Sequence, residues 1–270
     1  MNTIIENIRK YGLLVVTILT ANAVAASAET TLEKIRQTGQ VTVGTEAAFP
    51  PFEFVEDGKI VGYGKDILDI VIADLGVELN QLDLPWQGIL PGVLAGKFDF
   101  VATSVTIKPD RAMQYAFTVP IAEGTTWVMK RKGDTSITAV DDMAGKVVGT
   151  QLASGNESAS RAFQDDMIAR GLDGFGELKL FTSYPEVTLA LANGTLDAAV
   201  QNLPNLAVII KNQPDMFELV GPITDISYFG WVTRPEDTDL RDYLSEQILK
   251  MRDSGKIDEE IRHLLEALEH

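Results

Sequence analysis

Apolar and polar positions alternate along the chain in two periods that exchange places repeatedly. Thr31-Leu-Glu-Lys-Ile-Arg-Gln-Thr-Gly39 reads as a short capped helix, with Thr31 at or near the N-cap and Gly39 past the end. Val41-Thr-Val-Gly-Thr45 follows as a strand. Ile67, Ile70, Val71 and Leu75 fall at helical spacing over residues 66–75, and Gly76 closes that helix. A further helix from about Trp86 to Ala95 runs through Gly96-Lys97 into the strand Phe98-Asp-Phe-Val-Ala102. Strand and helix in alternation predict an α/β fold with a parallel sheet.

The pattern has an internal echo. Leu94-Ala-Gly-Lys-Phe-Asp-Phe-Val101 resembles Leu191-Ala-Asn-Gly-Thr-Leu-Asp-Ala-Ala-Val200, each a helix end, a turn and a strand. One copy in each half suggests two similarly built α/β lobes. Five residues after the paired aspartates Asp99 and Asp197 come Ser104 and Asn202, which fall near the carboxyl ends of their strands. Open α/β sheets place ligand-binding groups there, so facing lobes would line one cleft with both. Short extended crossings are expected near Ala122-Glu-Gly124 and Val220-Gly-Pro222, an arrangement that permits hinge closure.

Composition narrows the chemistry. At 270 residues, 45% hydrophobic and 23% charged, with no Cys, the chain is neither disordered nor a disulfide scaffold. A formal charge of −16 opposes nucleic acid as a partner, because phosphate backbones are bound mainly through Lys and Arg. The only histidines are His263 and His270, so metal centres and Ser-His-Asp triads lack material. Phosphate-binding, dinucleotide, metalloprotease and EF-hand motifs are absent; no cofactor and no metal are expected. Residues 1–28 pass from Arg9-Lys10 through an apolar stretch over residues 12–20 to Ala26-Ser-Ala28, the three regions of a secretory signal peptide, with cleavage expected after Ala28. That stretch is short of the roughly 20 residues that span a bilayer. Without Cys for lipid attachment, the periplasm is the expected location.

Candidate binding groups cluster at strand ends. Ser104-Val-Thr106-Ile-Lys-Pro-Asp-Arg111 puts two hydroxyls beside an Arg whose planar fork suits a carboxylate; the alternative is a surface Arg paired with Asp110 or a Glu. Val147-Val-Gly-Thr-Gln151-Leu-Ala-Ser154-Gly155-Asn156-Glu157 reads as a strand entering a helix, with Ser154 or Asn156 as N-cap; the helix N-terminus either meets an anion or is simply capped. Phe49 and Trp86 could hold a small ligand between rings, whereas Trp127 and Trp231 read as core. Asp141-Asp142 and Asp165-Asp166 read as solvated surface charge.

Four ordered segments carry a family resemblance: Val43-Gly-Thr-Glu-Ala-Ala-Phe-Pro-Pro-Phe-Glu-Phe54, Gly62-Tyr-Gly-Lys-Asp66, Trp86-Gln-Gly-Ile-Leu-Pro91 and Ser104-Val-Thr-Ile-Lys-Pro-Asp-Arg111. Together they resemble the family 3 periplasmic solute-binding proteins of polar amino-acid ABC transporters. The resemblance implies a two-lobed periplasmic-binding-protein fold (type II), each lobe a mainly parallel sheet flanked by helices, joined by two crossing strands. It implies that Arg111 clamps a ligand carboxylate with help from Ser104 and Thr106, and that Phe49 and Trp86 sandwich the ligand side chain. It implies that Glu46 sets side-chain specificity, and that Gln151, Ser154 and Gly155 meet the carboxylate from the second lobe. Asn202 stands where the family usually has an Asp for the ligand's α-ammonium, and Gly64 replaces the first Asp of the usual Gly-aromatic-Asp-x-Asp run. Asn202→Asp is accordingly expected to improve affinity for ordinary α-amino acids.

These readings converge on residues 29–122 with 222–270 as the first lobe and 123–221 as the second, after a signal peptide over 1–28. The expected function is capture of a small carboxylate-bearing ligand, a polar amino acid or a derivative, for delivery to an ABC transporter permease, by a non-catalytic monomer. The alternatives are a cyclohexadienyl dehydratase on the same fold, which would need a buried acid at Glu46, Glu123 or Glu157, and a sensory module acting through a separate partner.

Overall fold

A computed structural model describes residues 29–257; residues 1–28, where a signal peptide is expected, and His263 and His270 lie outside the described residues. In chain order the first lobe contributes α1 (Thr31–Thr38), β1 (Gln40–Thr45), β2 (Ala48–Phe49), β3 (Glu53–Glu56), β4 (Lys59–Val61), α2 (Tyr63–Leu75) and β5 (Glu78–Asp83). It continues with α3 (Trp86–Leu94), β6 (Phe100–Thr106), α4 (Pro109–Ala112), β7 (Ala116–Phe117) and β8 (Ala122–Glu123). The second lobe holds β9 (Thr126–Arg131), β10 (Val147–Gln151), α5 (Gly155–Ala169), β11 (Glu177–Phe181), α6 (Tyr184–Ala192), β12 (Ala198–Asn202), α7 (Leu203–Asn212) and β13 (Phe217–Pro222). The chain then returns to the first through β14 (Tyr228–Thr233) and α8 (Thr238–Asp253).

The two larger sheets each mix parallel and antiparallel pairings, and β2-β3-β4 form a small antiparallel sheet beside the first. In the order β5-β1-β6-β14-β7 the first three strands run parallel and β14 reverses; in β11-β10-β12-β9-β13 the first three run parallel and β9 reverses. The antiparallel strands are those that enter or leave through the crossings, which the local sequence pattern does not encode.

The internal echo is a repeated structural joint. Asp99 accepts from the Thr42 amide at 2.8 Å and Asp197 from the Val147 amide at 2.9 Å, while each aspartate's own amide donates back to the same residue's carbonyl at 2.8 Å. Three residues on, Thr45 Oγ1 donates to the Ala102 carbonyl and Thr150 Oγ1 to the Val200 carbonyl. Phe98 packs so closely over Gly44 that a Cβ there would meet its ring at 2.7 Å, and Leu196 covers Gly149 in the same way. The joint fixes the register of β6 on β1 and of β12 on β10, and so brings Ser104 and Asn202 to equivalent strand ends.

Element boundaries differ from the sequence reading for local reasons. Thr30, not Thr31, is the N-cap of α1, in a capping box with Glu33. α2 begins at Tyr63 because Gly62 (φ 114°) turns the backbone tightly over the Pro51 and Phe52 carbonyls. β6 starts at Phe100 and runs on to Thr106, since Phe98 is spent on covering Gly44 and Asp99 on the joint. Residues 220–222 belong to β13, where Pro222 sits opposite Trp127, so the return passage between the sheets falls at residues 223–227.

The two passages hold one another. Gly124 donates its amide to the Ser227 carbonyl at 2.8 Å, and Ser227 Oγ donates to the Gly124 carbonyl at 2.6 Å. A Cβ on Gly124 would lie 2.4 Å from the buried ring of Phe229. Gly124→Ala should therefore lower unfolding stability by ~1–3 kcal/mol through overpacking, measured by urea denaturation.

Candidate functional site

The carboxyl ends of the parallel strands of the two larger sheets face one another across a narrow, nearly closed cavity. From the first lobe it is lined by Glu46, Phe49, Trp86, Ser104, Thr106 and Arg111, and from the second by Gln151, Ser154, Gly155 and Asn202. The ten residues expected to bind the ligand thus line one cavity, whereas the candidate acids Glu123 and Glu157 do not. Thr103 and Tyr184 complete the wall. Sequence reasoning missed Tyr184, although it opens α6 just after β11, the position that Trp86 holds after β5.

Arg111 is the only permanent charge in this wall. It is 7% exposed, and among the described residues no carboxylate lies within 4 Å of its guanidinium; Asp110 pairs with Lys108 instead. Its NH1 donates to the Thr106 carbonyl at 3.2 Å, its NH2 reaches across the cleft to the Ala153 carbonyl at 3.0 Å, and the group lies 5.4 Å from the centre of the Trp86 ring. These contacts leave N–H donors of the fork unused. Burial depresses the Arg111 pKa below its ordinary value, although Asp110 nearby opposes the shift, the mark of a cation held away from water without a salt-bridge partner.

Opposite it stands the start of α5. Ser154 is the N-cap: its Oγ accepts from the Glu157 amide at 3.1 Å and donates to the Gln151 carbonyl at 2.7 Å. Ala153 before it adopts φ 61°, the left-handed conformation that turns the strand sharply into the helix. Gly155 comes so near the other lobe that a Cβ would sit 2.5 Å from Thr106 Oγ1. A guanidinium on one side and a helix N-terminus on the other form a subsite for an anion.

Asn202 is not placed like a free partner for a ligand cation, the role that the resemblance gives to an aspartate here. Its Oδ1 accepts from Asn156 Nδ2 at 2.8 Å and its Nδ2 donates to the Gly124 carbonyl. Asn156 in turn donates to the Tyr184 hydroxyl at 2.5 Å and accepts from Thr126 Oγ1 at 2.8 Å. Both ends of the Asn202 amide serve this buried network at the crossing. An aspartate there would set a carboxylate oxygen against the Gly124 carbonyl, so Asn202→Asp introduces repulsion beside any gain toward a cation; this changes the expectation drawn from sequence.

Two buried acids lie at the floor. Glu46 is 7% exposed and accepts from Gln151 Nε2 across the cleft at 2.5 Å. Burial, opposed by that hydrogen bond and reinforced by Glu53 and Asp83, pushes its pKa up to about 8. Glu53, behind the wall, takes Thr103 Oγ1 at 2.7 Å, the Ser104 amide at 2.6 Å and Ser104 Oγ at 3.3 Å; burial still raises its pKa to about 7. Gly64 makes room for it, since a Cβ at that position would lie 2.5 Å from Glu53 Oε2. The glycine that departs from the family's run is thus matched to the acid beneath the site.

Residues 41–264 match the model of the bacterial extracellular solute-binding proteins, family 3. The chain belongs to this family. Among relatives of this family-3 chain, the L-cystine-binding protein TcyJ of Escherichia coli (strain K12) is 26% identical over 249 residues, 91% of this chain and 90% of that protein. A mutant of ArgBP from T. maritima superposes with a TM-score of 0.77 at 28% identity, covering 87% of this chain and 99% of that one. An ancestral arginine-binding protein bound to arginine gives 0.76 at 29%, covering 84% and 98%.

Two outcomes follow from this geometry of the family-3 site. Glu46 titrates higher in the folded chain than in an unfolded one, so its cost to folding is absent below its ordinary pKa of 4.5 and complete above about pH 8. Glu46→Gln should match the wild type at pH 5 and exceed its stability at pH 8 by ~2 kcal/mol, the full linkage being discounted because lobe opening rehydrates the acid; thermal midpoints at the two pH values check this. Gly155→Ala should leave the melting of each lobe nearly unchanged yet prevent full closure, read as a larger radius of gyration in small-angle scattering. Removing Thr106 Oγ1 with Thr106→Val, which keeps the branched shape, should not restore closure, whereas Thr106→Gly should.

Proposed function

We propose that the protein captures a polar amino acid or a close derivative between its lobes and hands it, as a monomer in the periplasm, to an ABC transporter permease. Arg111 carries this reading. A buried guanidinium with unused donors, no acidic partner and a helix N-terminus opposite is arranged for a carboxylate. Ser104 and Thr106 would add hydrogen bonds to it, Gln151, Ser154 and Gly155 would close over it, and Phe49, Trp86 and Tyr184 would flank the rest of the ligand. The ligand would favour the closed arrangement because its carboxylate contacts both lobes at once. The names of TcyJ and the arginine-binding proteins support an amino acid as the ligand class.

A thermal-shift panel of the standard amino acids and L-cystine on refolded, ligand-free protein tests this. A ligand at 100 times its Kd stabilises by about 2.7 kcal/mol, a readable shift at this size. Arg111→Ala should weaken binding of any hit by ~2–5 kcal/mol, because the ligand carboxylate is left unpaired; near-wild-type affinity would overturn the carboxylate assignment.

A dehydratase reading draws on one feature, a buried acid in the cavity wall, Glu46, whose pKa burial pushes up to about 8. Of the other acids considered for that role, Glu123 is exposed and accepts from Thr125 Oγ1, and Glu157 is engaged by the Ala153 amide and Arg161. Loss of prephenate from solution with the purified protein would favour the enzyme; unchanged prephenate alongside an amino-acid hit favours the receptor.

A further inference from the structure

The amino-acid reading above requires the cavity to receive a positive group as well as a carboxylate, and the inference here rests on that reading. The geometry leaves one acid for the task. Asn202 is neutral and its amide is taken at both ends, by Asn156 and by the Gly124 carbonyl. Glu53 stands behind the wall, held by Thr103 and Ser104. Glu46 is the only carboxyl group among the residues lining the cavity. Its hydrogen-bond partner is the side chain of Gln151, whose Nε2 also donates to the Thr182 carbonyl at 3.2 Å. On releasing Glu46, Gln151 keeps its hydrogen bond to the Thr182 carbonyl and stays anchored to the second lobe.

We propose that Glu46 is the ammonium acceptor of this site, and that ligand capture replaces its cross-lobe bond to Gln151 and expels the Glu46 proton to solvent. The step balances: the neutral acid becomes a carboxylate, the ligand's ammonium keeps its protons, and one proton passes to the buffer. Before the ligand arrives the neighbouring acids favour the neutral form of Glu46, whereas its hydrogen bond from Gln151 and the facing Arg111 favour the carboxylate. Glu53 lies on β3, Asp83 on β5 beside the Ala47 amide that it accepts at 2.9 Å, and the Tyr184 hydroxyl on α6 is itself neutral. Arg111 faces the same cavity from α4, and its charge is answered by the incoming carboxylate. Burial beside Glu53 and Asp83 keeps Glu46 protonated to about pH 8, so at pH 7 nearly one proton leaves per ligand. Affinity should then rise about tenfold per pH unit from pH 6 to 8 and level off above. Selection also follows: carboxylates without a positive group gain nothing from the acid.

The experiment is isothermal titration of the full mature chain at pH 7 with each standard L-amino acid and L-cystine, beside pyruvate and 2-oxoglutarate, in phosphate and in Tris. The expected result is an amino acid whose binding enthalpy differs between the buffers by close to one proton's ionisation heat. Glu46→Gln should bind it at least tenfold more weakly with no proton released, and with flat affinity from pH 6 to 8. Glu46→Asp, which keeps the acid, should keep the proton release, so a misfolded Gln variant cannot decide the matter. An amino acid that binds the wild type with no buffer dependence, or Glu46→Gln that still releases the proton, overturns the role of Glu46 while the amino-acid reading stands. Binding of the simple carboxylates alone, or of nothing in either set, removes the amino-acid reading and this proposal with it.

Discussion

A buried guanidinium without an acid beside it governs this molecule. Leaving a cation in a low-dielectric interior is costly unless polar groups surround it. Arg111 is met by two carbonyls and an indole face, and one of those carbonyls, that of Ala153, belongs to the opposite lobe. Solvation of the charge and approach of the lobes are therefore one event. The left-handed turn at Ala153, the Ser154 cap and the bare Cα of Gly155 all serve to bring that carbonyl and the start of α5 within reach.

The scaffold that makes this possible is duplicated at the level of single hydrogen bonds. The Asp99–Thr42 and Asp197–Val147 joints lock strand register in each sheet, and register decides which residues arrive at the strand ends. The same joint delivers different cargo in the two lobes: hydroxyls backed by Glu53 in one, an amide tied into a crossing network in the other. Divergence at the ends on a conserved geometry of the joints explains how two similar halves build an asymmetric cavity.

Much of this was legible in the residues. Strand–helix alternation and the paired segments ending in Asp99 and Asp197 pointed to two α/β lobes, and the ten binding candidates line one cavity because strand ends are fixed by local pattern. What stayed hidden depends on contacts between distant segments. The antiparallel half of each sheet is set by the crossings, and nothing near residues 116–123 or 228–233 announces its partner. Tyr184 was passed over because a Tyr at a helix start carries no motif. Asn202 looked like a missing charge; only the positions of Asn156 and Gly124 show an amide fully employed. Gly64 likewise seemed a loss until Glu53 was found filling the space above it.

One ring ties the passage between the lobes to the ligand cavity. Phe229 presses on Gly124 and meets Phe52 at 5.2 Å and Phe49 at 5.9 Å between centres; Phe49 in turn meets Tyr184 of the other lobe at 5.2 Å. Phe49, Phe52 and Phe229 belong to the same lobe, so a rotation about the passage leaves their mutual packing intact and shears a single face, Phe49 against Tyr184. The pivot and the wall of the cavity are two ends of one aromatic lever, whose tip meets the other lobe at Tyr184. Filling the cavity beside that tip would be felt at the pivot through ring contact alone.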